Sequence, residues 1–384
     1  MEKRKIPHYL LVDDDRELEG SMASFSDTGL IILERFPLGE HKSFEALKKE
    51  LIKRSEENSF DGILMDLRLD GNEEDSTAFN GTSITQELRS MSARKEKDTI
   101  KSCPIVLFSS EEKIKSSYNT DKTSHDLFDF KIKKQENNNW EDICKKLMSL
   151  AHGYNLLEKS RNSLDYKKLL DINDDLFLDD RITDSLYTLE APHDYAYFIL
   201  KNFFHFTNPL LDEYVFAAFL GVDLLKMQED EQETLNQVFE LFSECQYTGV
   251  FNEGWRRWWK KSILQKFSEI SEGQNLLALT AEKRVEILNQ ILNTGKIITA
   301  EPIEFCISKR YGAVCETYKR PIDPLEGYRI EMKFDLKSWQ ETKYISLKAF
   351  LEKEAERKGI VPHKSELSRI EFDKQDIEDE QTED

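Results

Sequence analysis

The sequence has few cysteines. None of the five (Cys103, Cys144, Cys245, Cys306 and Cys315) forms a Cys-x-x-Cys pair, and their number is odd. A disulfide framework or a zinc finger is therefore not expected, and a reducing cytoplasm fits. Long apolar runs are also missing. The longest, Tyr214 to Leu225, is too short to span a bilayer and contains Asp223, so no membrane association is expected. The first residues, Met1 to Lys5, lead straight into a strand-like segment, which argues against a signal peptide. No Gly/Ser-rich linker, internal repeat, Walker loop, Gly-x-Gly-x-x-Gly turn or Ser/His/Asp set stands out. Basic charge is in deficit: 54 Lys and Arg stand against 74 Asp and Glu, a net charge of -20. Such a chain repels nucleic acid unless a local basic patch outweighs the whole field. Residues 1–155 hold 24 basic and 30 acidic side chains, net -6; the remaining 30 and 44 leave net -14 in residues 156–384. The second part is thus a poor DNA-binding module.

What is present is apolar material for real cores. Hydrophobic residues make up 39% of 384 residues, enough for two or three domains. Over the first 150 residues short apolar runs alternate with helix-period segments. The runs are His8–Val12, Leu30–Leu33, Gly62–Met65, Ile105–Phe108 and Phe128–Ile132. Several are continuously hydrophobic, as in strands buried on both faces. Helical stripes lie between them, among them Phe44, Leu47 and Leu51, then Ile84, Leu88 and Met91. This alternation predicts an α/β, flavodoxin-like, doubly wound domain with a five-stranded parallel sheet over residues 1–155. A mainly helical α+β domain with a small β element is expected over 156–370. The segment 371–384 carries eight acids and one lysine and is expected to be a disordered acidic tail.

In a doubly wound sheet, ligands sit at the carboxyl ends of the strands. There the first strand runs into Asp13-Asp14-Asp15, the third into Asp66, the fourth into Ser109-Ser110 and the fifth into Lys133. The fold would gather these groups in one crevice. A carboxylate such as Asp66 can act as nucleophile toward a phosphoryl group. Asp13 and Asp14 offer hard oxygen ligands for Mg²⁺, which neutralises phosphoryl oxygens. Ser109 can hydrogen-bond one such oxygen and Lys133 can pair with another. Lys131 is the competing lysine, since period two places it on the same face as Lys133.

This part of the chain, about residues 5–152, resembles the receiver domain of two-component response regulators. The matching stretches are Leu10 through Asp15, Asp61 through Asp66, Asn80-Gly81, Pro104 through Ser110 and Phe130 through Lys133. The resemblance implies Asp66 as phosphoacceptor, with Asp13, Asp14, Asp66 and the backbone carbonyl of Arg68 as the Mg²⁺ site. It further implies Ser109 as switch hydroxyl, Phe130 as switch aromatic and Lys133 as the family's invariant lysine. A partner histidine kinase would supply the phosphoryl group, and an effector protein could receive the signal. Arg68 and Glu111 would flank the path of the hydrolytic water. Receivers usually carry a proline after the lysine, where this chain has Lys134. The loop from Asp66 to Gly81 is long and holds Asp70, Glu73, Glu74 and Asp75. Large receivers without a DNA-binding output also resemble components of bacterial anti-phage two-component systems.

The second part yields weaker signals. Trp255, Trp258 and Trp259 share a face with Ile263 on an expected helix over Asn252–Ile270. That is core spacing, with Arg256, Arg257, Lys260 and Lys261 outside; an anion or partner site is the other reading. Asp323, Glu331 and Lys333 fit a nuclease-like pattern, in which case the protein would be a receiver-gated enzyme. Glu331 and Lys333 also fit the polar face of a half-buried strand over Tyr328–Phe334. His205, between Phe204 and Phe206, is read as a core or interface histidine, and Thr280 as a helix N-cap.

Overall fold

A computed structural model of the chain describes residues 5–15, 19–69, 77–94, 99–110, 124–135, 137–172, 178–332 and 335–383. The chain divides into two compact units. The first takes Met1–Asn173, Thr183–Leu200 and Thr248–Trp255; the second takes Asp174–Ile182, Lys201–Tyr247 and Arg256–Asp384. The first unit therefore gathers more chain than residues 1–155, including an eight-residue segment from far downstream.

The first unit is built on β1 (His8–Val12), α1 (Glu19–Asp27), β2 (Ile32–Arg35), α2 (Phe44–Glu56), β3 (Gly62–Met65), α3 (Gly81–Ala93), β4 (Ile105–Ser109), β5 (Phe130–Lys133) and α4 (Trp140–Lys159). The strands form one parallel sheet in the order β2-β1-β3-β4-β5. Every residue of β3 and β4 is buried, as the unbroken apolar runs require of strands covered on both faces. Leu10, Val12, Ile63, Met65, Ile105 and Leu107 pack on one face with Leu47 and Leu51 of α2 and Ile84 and Leu88 of α3. The opposite face meets α1 and α4. There Phe25 lies edge-on to Phe108 and Trp140, and the Tyr9 hydroxyl donates to the Leu147 carbonyl. Side-chain caps start the helices: Ser43 accepts from the Ala46 N–H, Asn80 from Ser83 and Asn139 from Asp142. A buried ion pair ties α3 to the start of β5. Arg89 donates to Asp129 at 2.7 Å, and Asp129 also accepts from the Tyr154 hydroxyl and the Ile105 N–H.

Further helices follow: α5 (Tyr166–Leu169), α6 (Asp180–Tyr187) and α7 (Pro192–Tyr197), the last running into a π-helical turn, Phe198–Phe203. In the second unit come β6 (Leu210–Leu211), α8 (Glu213–Leu220), α9 (Leu224–Asp230), α10 (Gln232–Leu241), β7 (Trp258–Trp259), α11 (Lys260–Ile270) and α12 (Ala281–Ile291). Their core centres on Trp258, stacked on Phe216 at 4.3 Å. Arg284 of α12 is fully buried and donates to the carbonyls of Phe219, Tyr311 and Leu279, capping the end of α8. The rest is β8 (Ala313–Val314), β9 (Pro321–Ile322), β10 (Tyr328–Arg329), β11 (Tyr344–Ile345), α13 (Leu347–Leu351), α14 (Glu354–Arg357) and α15 (Leu367–Glu383). No described helix is long and apolar enough to cross a membrane.

Several local expectations differ from the structure. The helix expected over Asn252–Ile270 is a turn, the short strand β7 and then α11. The three tryptophans thus share no helical face: Trp258 is core, whereas Trp255 belongs to the first unit. The strand expected over Tyr328–Phe334 is only Tyr328–Arg329 among the described residues. Thr280 holds the N-cap position of α12 without a side-chain bond to the helix backbone. His205 is exposed, its ring edge-on to Phe206. The acidic end, expected to be disordered, lies in α15. Ile370 is buried there, Arg369 stacks over Tyr328 at 4.3 Å, and the Tyr328 hydroxyl bonds Asp373. Two apolar residues seven apart, Ile370 and Ile377, supply a narrow packing stripe that the net charge concealed.

Candidate phosphoacceptor site

Asp13 and Asp66 are each the first residue past a strand, β1 and β3, and Val12 is paired with Met65. Parallel pairing in register therefore sets the two carboxylates side by side. Asp14 follows, and oxygen atoms of all three carboxylates lie within 4.8 Å of one another, with all three residues buried. The next strand, β4, ends in Ser109, which has no exposed surface. Its hydroxyl has no hydrogen-bond partner among the described residues. A buried polar atom without a partner costs about 1–3 kcal/mol, so an acceptor brought to this place would be welcomed. One Asp66 oxygen accepts from the Leu67 N–H at 2.8 Å, and one Asp13 oxygen from the Asp15 N–H at 3.0 Å.

The cation at this site is Lys134. Its Nζ is 2.6 Å from Asp13 and 3.8 Å from Asp66, and it also stands over the Phe108 ring. Lys133, the expected residue, is exposed, and Lys131 is half-buried. The correction follows from the register. Ser109 pairs with Lys133, and the Lys134 N–H donates to the Ser109 carbonyl. Lys134 is thus the first residue past β5, as Asp13 and Asp66 are past their strands. It also shares parity with the buried Ile132, whereas Lys131 and Lys133 share the other face.

The charges here are crowded. Burial and the neighbouring Asp66 push the Asp13 carboxyl up to about 6, against the pull of Lys134. Three buried carboxylates set together beside Lys134 make an oxygen-rich cluster of the kind a hard divalent cation relieves. The residues therefore fit Mg²⁺. Gly81, at the start of α3, lets that helix approach closely: a Cβ there would stand 1.9 Å from the Asp66 carbonyl oxygen. Phe130 is half-buried at the start of β5, with the Trp255 ring edge-on at 5.9 Å. Arg68 is exposed. Asp70, Glu73, Glu74, Asp75 and Glu111 lie outside the described residues.

The nuclease-like residues of the second unit form no comparable centre. Both Asp323 oxygens are engaged, one by the Ser308 hydroxyl and one by the Leu325 N–H. Glu331 is exposed, and Lys333 lies outside the described residues. Among the described residues, the Asp13–Asp14–Asp66 group alone has metal-binding spacing.

The strand order and the placing of these groups at the strand ends define the architecture. The first unit has a flavodoxin-like, doubly wound fold. Comparison with solved structures returns response-regulator receiver domains over the N-terminal part of the chain. One is the signal receiver domain of a modulated diguanylate cyclase from Desulfovibrio desulfuricans G20, 17% identical over 40% of this chain and 98% of that one, TM-score 0.26. Another is a CheY-like receiver domain from Methylobacillus flagellatus, 18% identical over 35% and 90%, TM-score 0.23. A third is the N-terminal receiver domain of Klebsiella pneumoniae RstA, 19% identical over 33% and 86%, TM-score 0.23. No protein-family model matches the chain, and no curated protein does.

Proposed function

We propose that the receiver unit is a phosphoacceptor for a partner histidine kinase, with Asp66 as the nucleophile. The observation that carries this reading is the convergence at one sheet end of three buried carboxylates, Lys134 and the partnerless Ser109 hydroxyl. An Asp66 oxygen forms the new bond to phosphorus as the P–N bond of a phosphohistidine breaks. With a small acyl phosphate, the P–O bond to the carboxylate leaving group breaks instead. Lys134 moves from Asp13 to the incoming phosphoryl oxygens, and Ser109 donates to one of them. Asp13, Asp14, Asp66 and the Arg68 carbonyl would hold Mg²⁺, whose charge supports phosphoryl transfer. The second unit would be the output, transmitting or storing the signal through an effector protein.

The test is incubation of the full chain with Mg²⁺ and acetyl phosphate, followed by peptide mass analysis. One phosphoryl group on the peptide containing Asp66, absent from Asp66→Ala, supports the reading.

A further inference from the structure

A cavity of about 730 Å³ lies wholly within the first unit, at the other end of the sheet from Asp66. Pro7, just before β1, and Phe60 and Asp61, just before β3, line it. The two strands are parallel, so these are their amino ends. Asp61 and Asp66 bracket β3 and stand roughly 16 Å apart at the rise of a strand. The volume falls within the range of small-molecule sites, about 300–1,000 Å³. The remaining walls come from α4 and the downstream segment 248–253, and both are fixed. The Val250 N–H donates to the Leu169 carbonyl, and the Thr248 hydroxyl to Asp171 at 2.7 Å. Phe251 is buried over Gly153, where a Cβ would stand 2.2 Å from its ring.

The charge here runs against that of the molecule. The whole chain has 54 basic residues to 74 acidic, whereas four lysines and three acids line this cavity. The acids are already engaged. Asp61 accepts from the His8 N–H, Asp171 from Thr248, and Glu253 pairs with His152 at 2.8 Å. The lysines are far less so. Half-buried Lys101 donates to the neutral Asn155 side-chain oxygen at 3.1 Å. Lys5 and Lys159 are exposed and form no ion pair among the described residues. Lys168 reaches only Asp165, at 3.9 Å. Deeper in the wall Ser149 is buried, and its hydroxyl has no hydrogen-bond partner among the described residues. A buried hydroxyl left without a partner is costly, and an acceptor entering the cavity relieves it. Leu156, 47% exposed, adds an apolar surface to the same wall.

We propose that this cavity is a binding site for a small phosphate monoester with an apolar or ring-bearing body. A phosphate monoester carries nearly two negative charges and three acceptor oxygens, which suits several lysines acting as point charges. Lys101 and Lys159 hold the phosphate, Ser149 donates to an acceptor of the ligand, and the body packs against Leu156. The inference is independent of the phosphoacceptor reading, since the two sites share no residue.

The experiment is calorimetry of the full chain in EDTA, with phenyl phosphate, adenosine 5′-monophosphate and benzoate as probes. Without metal, the three carboxylates of the acidic site repel an anion. At least one of the two phosphate esters should bind, and benzoate, with one charge, at least tenfold more weakly than phenyl phosphate. Lys101→Gln and Lys159→Gln should each weaken binding by about tenfold. Ser149→Ala should weaken it by about threefold or more, while the ligand-free variant unfolds at the same or a higher temperature. Asp66→Ala should bind as wild type does. Amide exchange should slow in peptides covering 149–159 and 248–253. No binding of either ester at millimolar concentration overturns the proposal. Benzoate binding as well as phenyl phosphate overturns the phosphate assignment. Binding lost in Asp66→Ala, or unaffected by both lysine variants, places the ligand elsewhere and overturns the site.

Discussion

Asp13, Asp14, Asp66 and Ser109 could be read from the sequence because each follows or ends an unbroken apolar run, and parallel strands in register place such residues together. The lysine could not be fixed the same way. Residues 131–134 read Lys-Ile-Lys-Lys, and only the pairing of Ser109 with Lys133 shows that Lys134 overhangs the sheet. Lys134→Ala should therefore slow phosphoryl uptake from acetyl phosphate by about tenfold or more, with Lys133→Ala close to wild type, measured as the rate of mass gain. Equal losses in both variants would contradict the geometry. Asp13 supplies a pH prediction. Its carboxyl is held up at about 6, against an ordinary 3.8, so the folded state binds the proton more tightly than the unfolded chain. Its ionisation therefore costs stability, with the full cost present above the folded pKa and none below the unfolded one. In metal-free protein Asp13→Asn should raise stability at pH 8 by about 1–3 kcal/mol, the gain shrinking as pH falls from 6 toward 4. The same variant should lose Mg²⁺ affinity by calorimetry. Destabilisation at pH 8, or unchanged affinity, would count against the site.

At the level of elements, the alternation of buried strands and amphipathic helices was legible, because period two and period 3.6 differ plainly in runs of this length. The downstream segment 248–255 was not. Its tryptophans fell at helical spacing, but Trp255 is held by Phe130 and Trp258 by Phe216, long-range contacts that no local period encodes. Two elements can be tested by single changes. Gly81→Ala should destabilise the first unit by about 2 kcal/mol or more, since the start of α3 must retreat from the Asp66 carbonyl; unchanged thermal unfolding would show that α3 yields freely. Arg89→Met should cost about 3–5 kcal/mol, because it leaves Asp129 buried without its cation. Restoring neutrality with Asp129→Asn in the same chain should recover part of that loss in denaturant unfolding. No recovery would mean that Arg89 acts through its carbonyl contacts with Cys103 and Leu127 instead.

At the level of the whole molecule, the sequence marks a change of architecture after α4 but does not mark how the chain is shared between units. Thr248–Trp255 joins the first unit from far downstream, and α15 takes up an acidic end whose composition suggested disorder. Both depend on packing against distant partners rather than on local propensity. The net charge of -20 leads to a plain expectation: duplex DNA should not be retarded at physiological salt by the chain, phosphorylated or not. Sequence-dependent retardation would show that a local basic surface overrides the overall field.

The central claim is that Asp66 accepts a phosphoryl group at a site completed by Asp13, Asp14, Ser109 and Lys134. Its most direct test is peptide mass analysis of the full chain after incubation with Mg²⁺ and acetyl phosphate, beside the Asp66→Ala variant. The geometry predicts a single phosphoryl group on the Asp66 peptide of the wild type and none on the variant. Equal labelling of the two proteins, or none of the wild type, would contradict it.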